Sequence, residues 1–257
     1  MHFKLNNLKL KWSWKFVGLL TLIFGLIGLA YLGFWLSTPY QPDQVAVAAL
    51  NSGAGINVKL DSDLILFQKE QVDLKQGVIL YPGGRVKPEA YAQLCRKLAE
   101  KYGLCAIVKM TFNLAIVSPN NGDKLIQKFP TIQNWMVVSH SLGGPAAARF
   151  IQSGQDKISE LVLLASYSDV NINSNKIKVL SISGSKDEVM KAELLQKNSK
   201  NLPSNAKYEV IQGGNHAQMG NYGAQDGDGT ADIDSANQKE LVLNLIQNWS
   251  SFELLDN

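Results

Sequence analysis

With 257 residues, 46% of them apolar and 18% charged, the chain is long enough for one well-filled α/β core and reads as a globular protein carrying one very apolar segment. Its formal charge of +3 resides at the N-terminus. Residues 1–15 hold Lys4, Lys9, Lys11 and Lys15 and no acid, and without these four the chain has 21 basic against 22 acidic residues. That balance excludes a general basic surface for nucleic acid, and two cysteines are too few for a disulfide framework.

The run Phe16 to Leu36 contains no charge over 21 residues. As a helix it extends about 31 Å, the thickness of a bilayer's hydrocarbon core. Trp12, Trp14, Tyr31 and Trp35 lie towards its ends, where interfacial aromatics gather. The four lysines precede it, and Ser37 to Asp43 holds no base. The positive-inside rule therefore predicts residues 1–15 as a cytoplasmic tail and residues 16–36 as a single transmembrane anchor in the lipid bilayer, with everything beyond on the extracytoplasmic side. A cleaved signal peptide fits less well, because the run exceeds a usual h-region and no Ala-x-Ala site follows it. Pro39 and Pro42 end the helix, and residues 37–43 read as a linker to a domain spanning 44–257.

Val45 to Leu50 and Ile56 to Leu60 are predicted as short strands around the turn Asn51 to Gly55, and Leu64 to Phe67 as another. Gly77 to Tyr81 is a continuous apolar run ending in Pro82-Gly83-Gly84, the pattern of a buried parallel strand. The spacing of Tyr91, Leu94, Cys95, Leu98, Ala99 and Tyr102 predicts a helix, with Pro88 in its first turn and Gly103 at its end. Leu104 to Val108 is the next strand, and Asn121 to Lys128 a short helix. Cys95 and Cys105 fall in these apolar patterns and are read as buried thiols; a bridge between them is the alternative for an exported domain.

Trp135 to Val138 is another buried strand. It runs through Ser139-His140-Ser141-Leu142-Gly143-Gly144 into the helical pattern Pro145 to Ile151. A strand, a Ser among small residues and a helix make a nucleophile elbow, in which Ser141 takes a strained conformation and the Leu142 N–H points at a forming oxyanion. Ser139 stands where Gly is usual.

Glu160 to Ala165, Lys178 to Ile182 and Tyr208 to Ile211 are further strands. Glu188 to Ser199 is predicted helical, residues 213–233 form a Gly- and Asp-rich loop, and Leu241 to Trp249 carry a closing amphipathic helix. Strands alternating with helices imply a mostly parallel sheet covered on both faces, with chemistry beyond the strands' C-terminal ends.

Three such ends carry Ser141, Asp187 and His216, in that chain order. A Ser hydroxyl is a weak nucleophile until a base accepts its proton; His216 is the candidate base and Asp187 the acid that orients it. Asp169 is a rival acid and Glu188 a lesser one. His140, inside the elbow, is expected to point away from the Ser. The second oxyanion donor is expected after the strand 77–81, from the N–H of Gly84 or Arg85. Asp226, Asp228, Thr230, Asp232 and Asp234 alternate like a calcium loop, but Ala231 and Asn237 stand where an EF-hand needs Gly and Glu, so no metal and no cofactor is assigned.

The chain resembles the α/β-hydrolase superfamily, and more narrowly the small bacterial alpha/beta hydrolase fold-5 group, over about residues 44–250. The resemblance is carried by Tyr81-Pro-Gly-Gly84, Phe112-Asn-Leu-Ala115, Trp135 to Gly144, Ser183 to Asp187, and Gly214 to Gln218 with Gly220-Asn-Tyr-Gly223. It implies a three-layer α/β fold and a Ser141–Asp187–His216 triad. Hydrolases often carry a lid where this chain has only about ten residues, between the strands at 161–165 and 176–182, so an open site for small or short-acyl esters is expected. The expected function is a membrane-anchored serine hydrolase acting on a small-molecule ester. Acyl transfer to an envelope acceptor and a catalytically weak binding protein of the same fold are the alternatives.

Overall fold

The computed structural model describes residues 14–173 and 176–255. Three of the four N-terminal lysines and Trp12 lie outside the described residues. Two units are present, one ending at Thr38 and one running from Pro39 onwards.

The first unit is helix α1, Trp14–Ser37, none of whose residues is buried. It is apolar around its whole circumference and long enough to cross a membrane.

The second unit is built on one sheet. Its strands are β1 (Ile56–Leu60), β2 (Leu64–Lys69), β3 (Gln76–Tyr81), β4 (Leu104–Val108), β5 (Asn134–His140), β6 (Ile158–Leu164), β7 (Lys178–Gly184) and β8 (Lys207–Ile211), in the spatial order β1-β2-β4-β3-β5-β6-β7-β8. β2 is antiparallel to both neighbours, and every pairing from β4 to β8 is parallel. The central strands are apolar throughout because both their faces are covered. Helices α3 (Ala92–Tyr102) and α7 (Ser235–Trp249) supply Leu98, Val242 and Ile246 to the core on one face. On the other face, α4 (Asp123–Lys128) and α5 (Gly143–Gln152) bury Leu125, Phe150 and Ile151. The expected three-layer fold is therefore present, with all eight strands in one sheet.

Three local expectations need correction. Residues 45–50 are not a strand: Gln44–Ala49 form helix α2, started by the Asp43 carboxylate, which accepts the Ala46 N–H at 2.8 Å. Val45-Ala-Val-Ala-Ala-Leu50 is apolar without a period, so the N-cap decides its conformation. The helix expected from Glu188 is shorter, α6 at Ala192–Asn198, because Asp187 takes the Val189 and Met190 N–H groups into a tight turn first. Cys95 and Cys105 are not free thiols but a disulfide, with Cα atoms 5.4 Å apart. α3 lies across β4 so that both side chains enter the same core layer, a contact between elements that spacing does not reveal.

The start of the second unit also lies earlier than residue 44. The Tyr40 N–H donates to the Arg85 carbonyl at 2.7 Å, and Asp43 N–H to Asn221 carbonyl at 2.8 Å. Tyr40 and Asp43, expected in a linker, thus belong to the folded body.

The bridge closes a short loop of the unfolded chain, which the chain-entropy treatment values at about 2–3 kcal/mol. Replacing both cysteines, Cys95→Ala with Cys105→Ala, is expected to lower the unfolding free energy by at least that amount, read from the urea midpoint of the full chain. An unchanged midpoint contradicts it.

Candidate active site

The loops after β3, β5, β7 and β8 meet at one rim of the sheet. β5 lies between β3 and β6 in parallel register, with Tyr81 and Leu163 opposite Ser139. The nucleophile turn is therefore delivered beside the Pro82-Gly83-Gly84 loop. Ser141 has φ +50, the left-handed strain expected of an elbow. Its N–H is held by the Leu164 carbonyl at 3.1 Å, and its own carbonyl accepts the Ser166 hydroxyl. Ser139 does not disturb the turn. Its side chain is buried, and the hydroxyl donates to the Val162 carbonyl on β6 at 3.1 Å. Gly143 faces β3 so closely that an added Cβ would lie 2.5 Å from the Tyr81 carbonyl oxygen and 2.7 Å from that of Pro82.

Asp187 and His216 are brought together. Asp187 Oδ2 accepts from His216 Nδ1 at 2.9 Å, and Oδ1 accepts from the Val189 and Met190 amides at 2.9 and 2.7 Å. Both side chains are inaccessible to solvent. A carboxyl group can be buried there because N–H donors reach both of its oxygens. Of the rivals, Asp169 pairs with Arg149 at 2.6 Å, and it is Asp187, not Glu188, whose carboxylate meets the imidazole. With Nδ1 on Asp187, His216 is left with Nε2, which is buried and has no hydrogen-bond partner among the described residues. The Ser141 hydroxyl does not close a hydrogen bond to it in this state. His216 packs on the elbow at His140, the residue before Ser141, whose ring centre lies 4.6 Å from its own.

That contact gives His140 a place beside the site that its position in the sequence did not suggest. Its side chain is buried against the candidate base, and its Nδ1 lies 2.8 Å from the Tyr91 hydroxyl. Burial, with the His216 imidazole beside it, holds its pKa well below the ordinary imidazole range, so His140 is neutral.

Two further residues hold the His216 loop: Asp228, which the sequence marked only as part of an Asp-rich stretch, and Gln238, which it did not mark. Asp228 accepts the His216 and Ala217 amides at 3.3 and 2.8 Å. Gln238, fully buried on α7, exchanges two hydrogen bonds with the backbone of Asn215 at 3.0 and 2.8 Å. The remaining acids of the Asp-rich stretch are used separately: Asp232 pairs with Lys186 at 3.1 Å and Asp234 caps α7.

Of the proposed oxyanion donors, Leu142 and Gly84 lie together; a Cβ on Gly84 would meet Leu142 Cδ1 at 2.5 Å. The Arg85 N–H is committed to the Asn113 carbonyl at 2.8 Å. Arg85 therefore braces the loop against residues 111–117, and Gly84 is the candidate that keeps an amide for substrate.

A doubly covered parallel sheet with a strained Ser at the end of its central strand, and an Asp–His pair on the next strand ends, defines a hydrolase of the α/β class. The model of the alpha/beta hydrolase family matches residues 77–240, and the chain belongs to that family. Among solved structures it is similar to Est1E from Butyrivibrio proteoclasticus, at 14% identity and TM-score 0.54, over 76% of this chain and 98% of that one. It is also similar to carboxylesterase CesB from Bacillus subtilis, at 9% identity and TM-score 0.56, over 79% and 94%. A third is the dienelactone hydrolase from Anabaena variabilis, at 11% identity and TM-score 0.55, over 78% and 100%. Identities this low establish a shared fold. A comparison with curated proteins found no match.

Gly143→Ala tests the packing of the elbow. The neighbours are backbone carbonyls, which cannot turn aside, so the substitution is expected to cost about 1–3 kcal/mol of stability, as overpacking does. A thermal melt identical to the wild type would show that the turn has room.

Proposed function

We propose that this protein is a membrane-anchored serine hydrolase that cleaves small or short-acyl carboxylic esters through Ser141, His216 and Asp187. The observation that carries the reading is the buried Asp187–His216 hydrogen bond beside the strained Ser141 turn. Asp187 holds the Nδ1 proton, which leaves Nε2 as the basic nitrogen. In the reaction, Nε2 takes the Ser141 proton as Oγ attacks the ester carbonyl. The oxyanion receives the Leu142 and Gly84 amides, and the tetrahedral adduct collapses as His216 gives its proton to the departing alcohol. Water then attacks the acyl-enzyme by the reverse roles, releasing the acid and free Ser141.

Membrane attachment through residues 16–36 is supported by the apolar α1 helix. An extracytoplasmic catalytic domain is supported by the lysines before that helix, by the absence of bases just after it, and by the Cys95–Cys105 disulfide, a bond that persists in oxidising compartments. Short-acyl preference is supported by the brevity of the segment between β6 and β7, which offers little apolar surface to a long chain.

A fluorophosphonate probe is expected to label the wild type but not Ser141→Ala. Ser141→Ala and His216→Ala should each lower kcat by at least about 1,000-fold, the scale of losing a triad member. Wild type that stays unlabelled contradicts the hydrolase reading and favours a binding protein. A second measurement concerns the acyl group: across p-nitrophenyl esters, kcat/KM should fall steeply from butyrate to palmitate, and the reverse order contradicts the short-acyl assignment. Product analysis with added alcohol separates hydrolysis, which yields free acid, from acyl transfer, which yields the new ester.

A further inference from the structure

Tyr91 ends the short turn Pro88–Tyr91 that precedes α3, and its phenol lies fully buried between the two loops that matter most to the site. On one side its oxygen accepts the Gly83 N–H at 2.9 Å. On the other it lies 2.8 Å from His140 Nδ1. The phenol has one proton, and burial pushes its pKa up, so it keeps that proton and donates it. His140 Nδ1 must then be the acceptor, which fixes His140 as the neutral Nε2–H tautomer. Its ring packs on His216 at 4.6 Å between centres, tilted by 45°. The same turn also grips the far end of the His216 loop. The Ala90 carbonyl accepts the Asn221 N–H at 2.8 Å, and a Cβ on Gly220 would meet Tyr91 Cε1 at 3.2 Å.

We infer that Tyr91 and His140 form a buried positioning pair that locks the oxyanion loop and the general base into one register. The chain of contacts runs from Gly83 N–H to Tyr91 Oη–H, to His140 Nδ1, and through the His140 ring to His216. Neither residue touches the substrate; each acts through another. A Phe at residue 140 fills nearly the same volume but leaves the Tyr91 proton without an acceptor, and a Phe at residue 91 orphans both Gly83 N–H and His140 Nδ1. The loss then falls on the placement of the Gly84 amide and the His216 ring, which act on the transition state. The inference rests on the serine-hydrolase reading above.

The experiment uses the full-length chain in detergent, with Tyr91→Phe, His140→Phe, His140→Gln and the Tyr91→Phe/His140→Phe double variant. Displacement of a reacting group by about an ångström costs roughly 100-fold. Each Phe variant is expected to lower kcat by about 10- to 100-fold and the fluorophosphonate labelling rate in parallel, with KM within about twofold of wild type. Because the pair acts as a unit, the double variant should be no slower than the slower single variant. His140→Gln, whose amide oxygen accepts the Tyr91 proton, should recover most of the kcat lost in His140→Phe. His140→Phe leaves Gly83 its acceptor and so carries the test alone if Tyr91→Phe does not fold. Folded variants with wild-type kcat, or single losses that multiply in the double variant, overturn the inference while leaving Ser141 labelling intact. Wild type that is not labelled at Ser141 overturns the hydrolase reading itself, and the pair's role with it.

Discussion

Keeping a carboxylate and an imidazole away from water, at the point where two parallel strands end, is the requirement that shapes this fold's functional rim. An ion there is tolerated only when every lone pair has a donor. Asp187 receives three donors, two backbone amides of its own turn on one oxygen and the His216 ring on the other. The demand then passes outward. His216 must be held by its backbone, which Asp228 does, and the residue before it is clamped by Gln238 from α7. The β7 and β8 loops are bound directly as well, Lys186 N–H to the Gly214 carbonyl at 2.8 Å. The closing helix, the Asp-rich loop and two strand ends are thus parts of one support for a single hydrogen bond.

How much of this the sequence discloses depends on whether a feature is local or assembled. The parallel strands are plain, since burial on both faces makes them short apolar runs, and the elbow is plain because only small residues fit its turn. Chain order then brings Ser141, Asp187 and His216 to strand ends without any knowledge of contacts. What stays hidden is what depends on side chains meeting across elements. The Cys95–Cys105 bridge is of this kind, as is the use of Asp228 as a cap on a loop twelve residues earlier. Helix α2 was obscured for the opposite reason. Its segment is uniformly apolar, and the decisive signal was one carboxylate, Asp43, just outside it.

His140 shows a third way for a contact to escape a reading of the sequence. A side chain expected to point away from Ser141 can still border the site, because the loop that returns after β8 lays His216 directly on the His140 ring. Two imidazoles in contact cannot both take up a second proton and become cations without mutual repulsion. Burial and the adjacent His216 ring hold the His140 pKa well below the ordinary imidazole range, and Tyr91 donates to its Nδ1.

Ser139 and the distribution of backbone strain complete the account. A hydroxymethyl at the usual Gly position is accommodated because β6 supplies the Val162 carbonyl to its hydroxyl, so the extra group is absorbed as a strand-to-strand bond and not as a displaced turn. Of the seven non-glycine residues described with positive φ, five lie at the functional rim: Arg85 after β3, Phe112 and Asn113 after β4, Ser141 after β5 and Ala165 after β6. Strain of this kind persists only where surrounding bonds overdetermine it. Four of the five are so held: Arg85 N–H by the Asn113 carbonyl, Asn113 N–H by the Met110 carbonyl, Ser141 N–H by the Leu164 carbonyl, and Ala165 N–H by the Ile182 carbonyl at 2.7 Å. A rim whose bends are fixed by neighbouring strands does not need substrate to organise it. Stabilisation of a developing oxyanion demands such a surface, because donors that must first reorient lose their advantage over water.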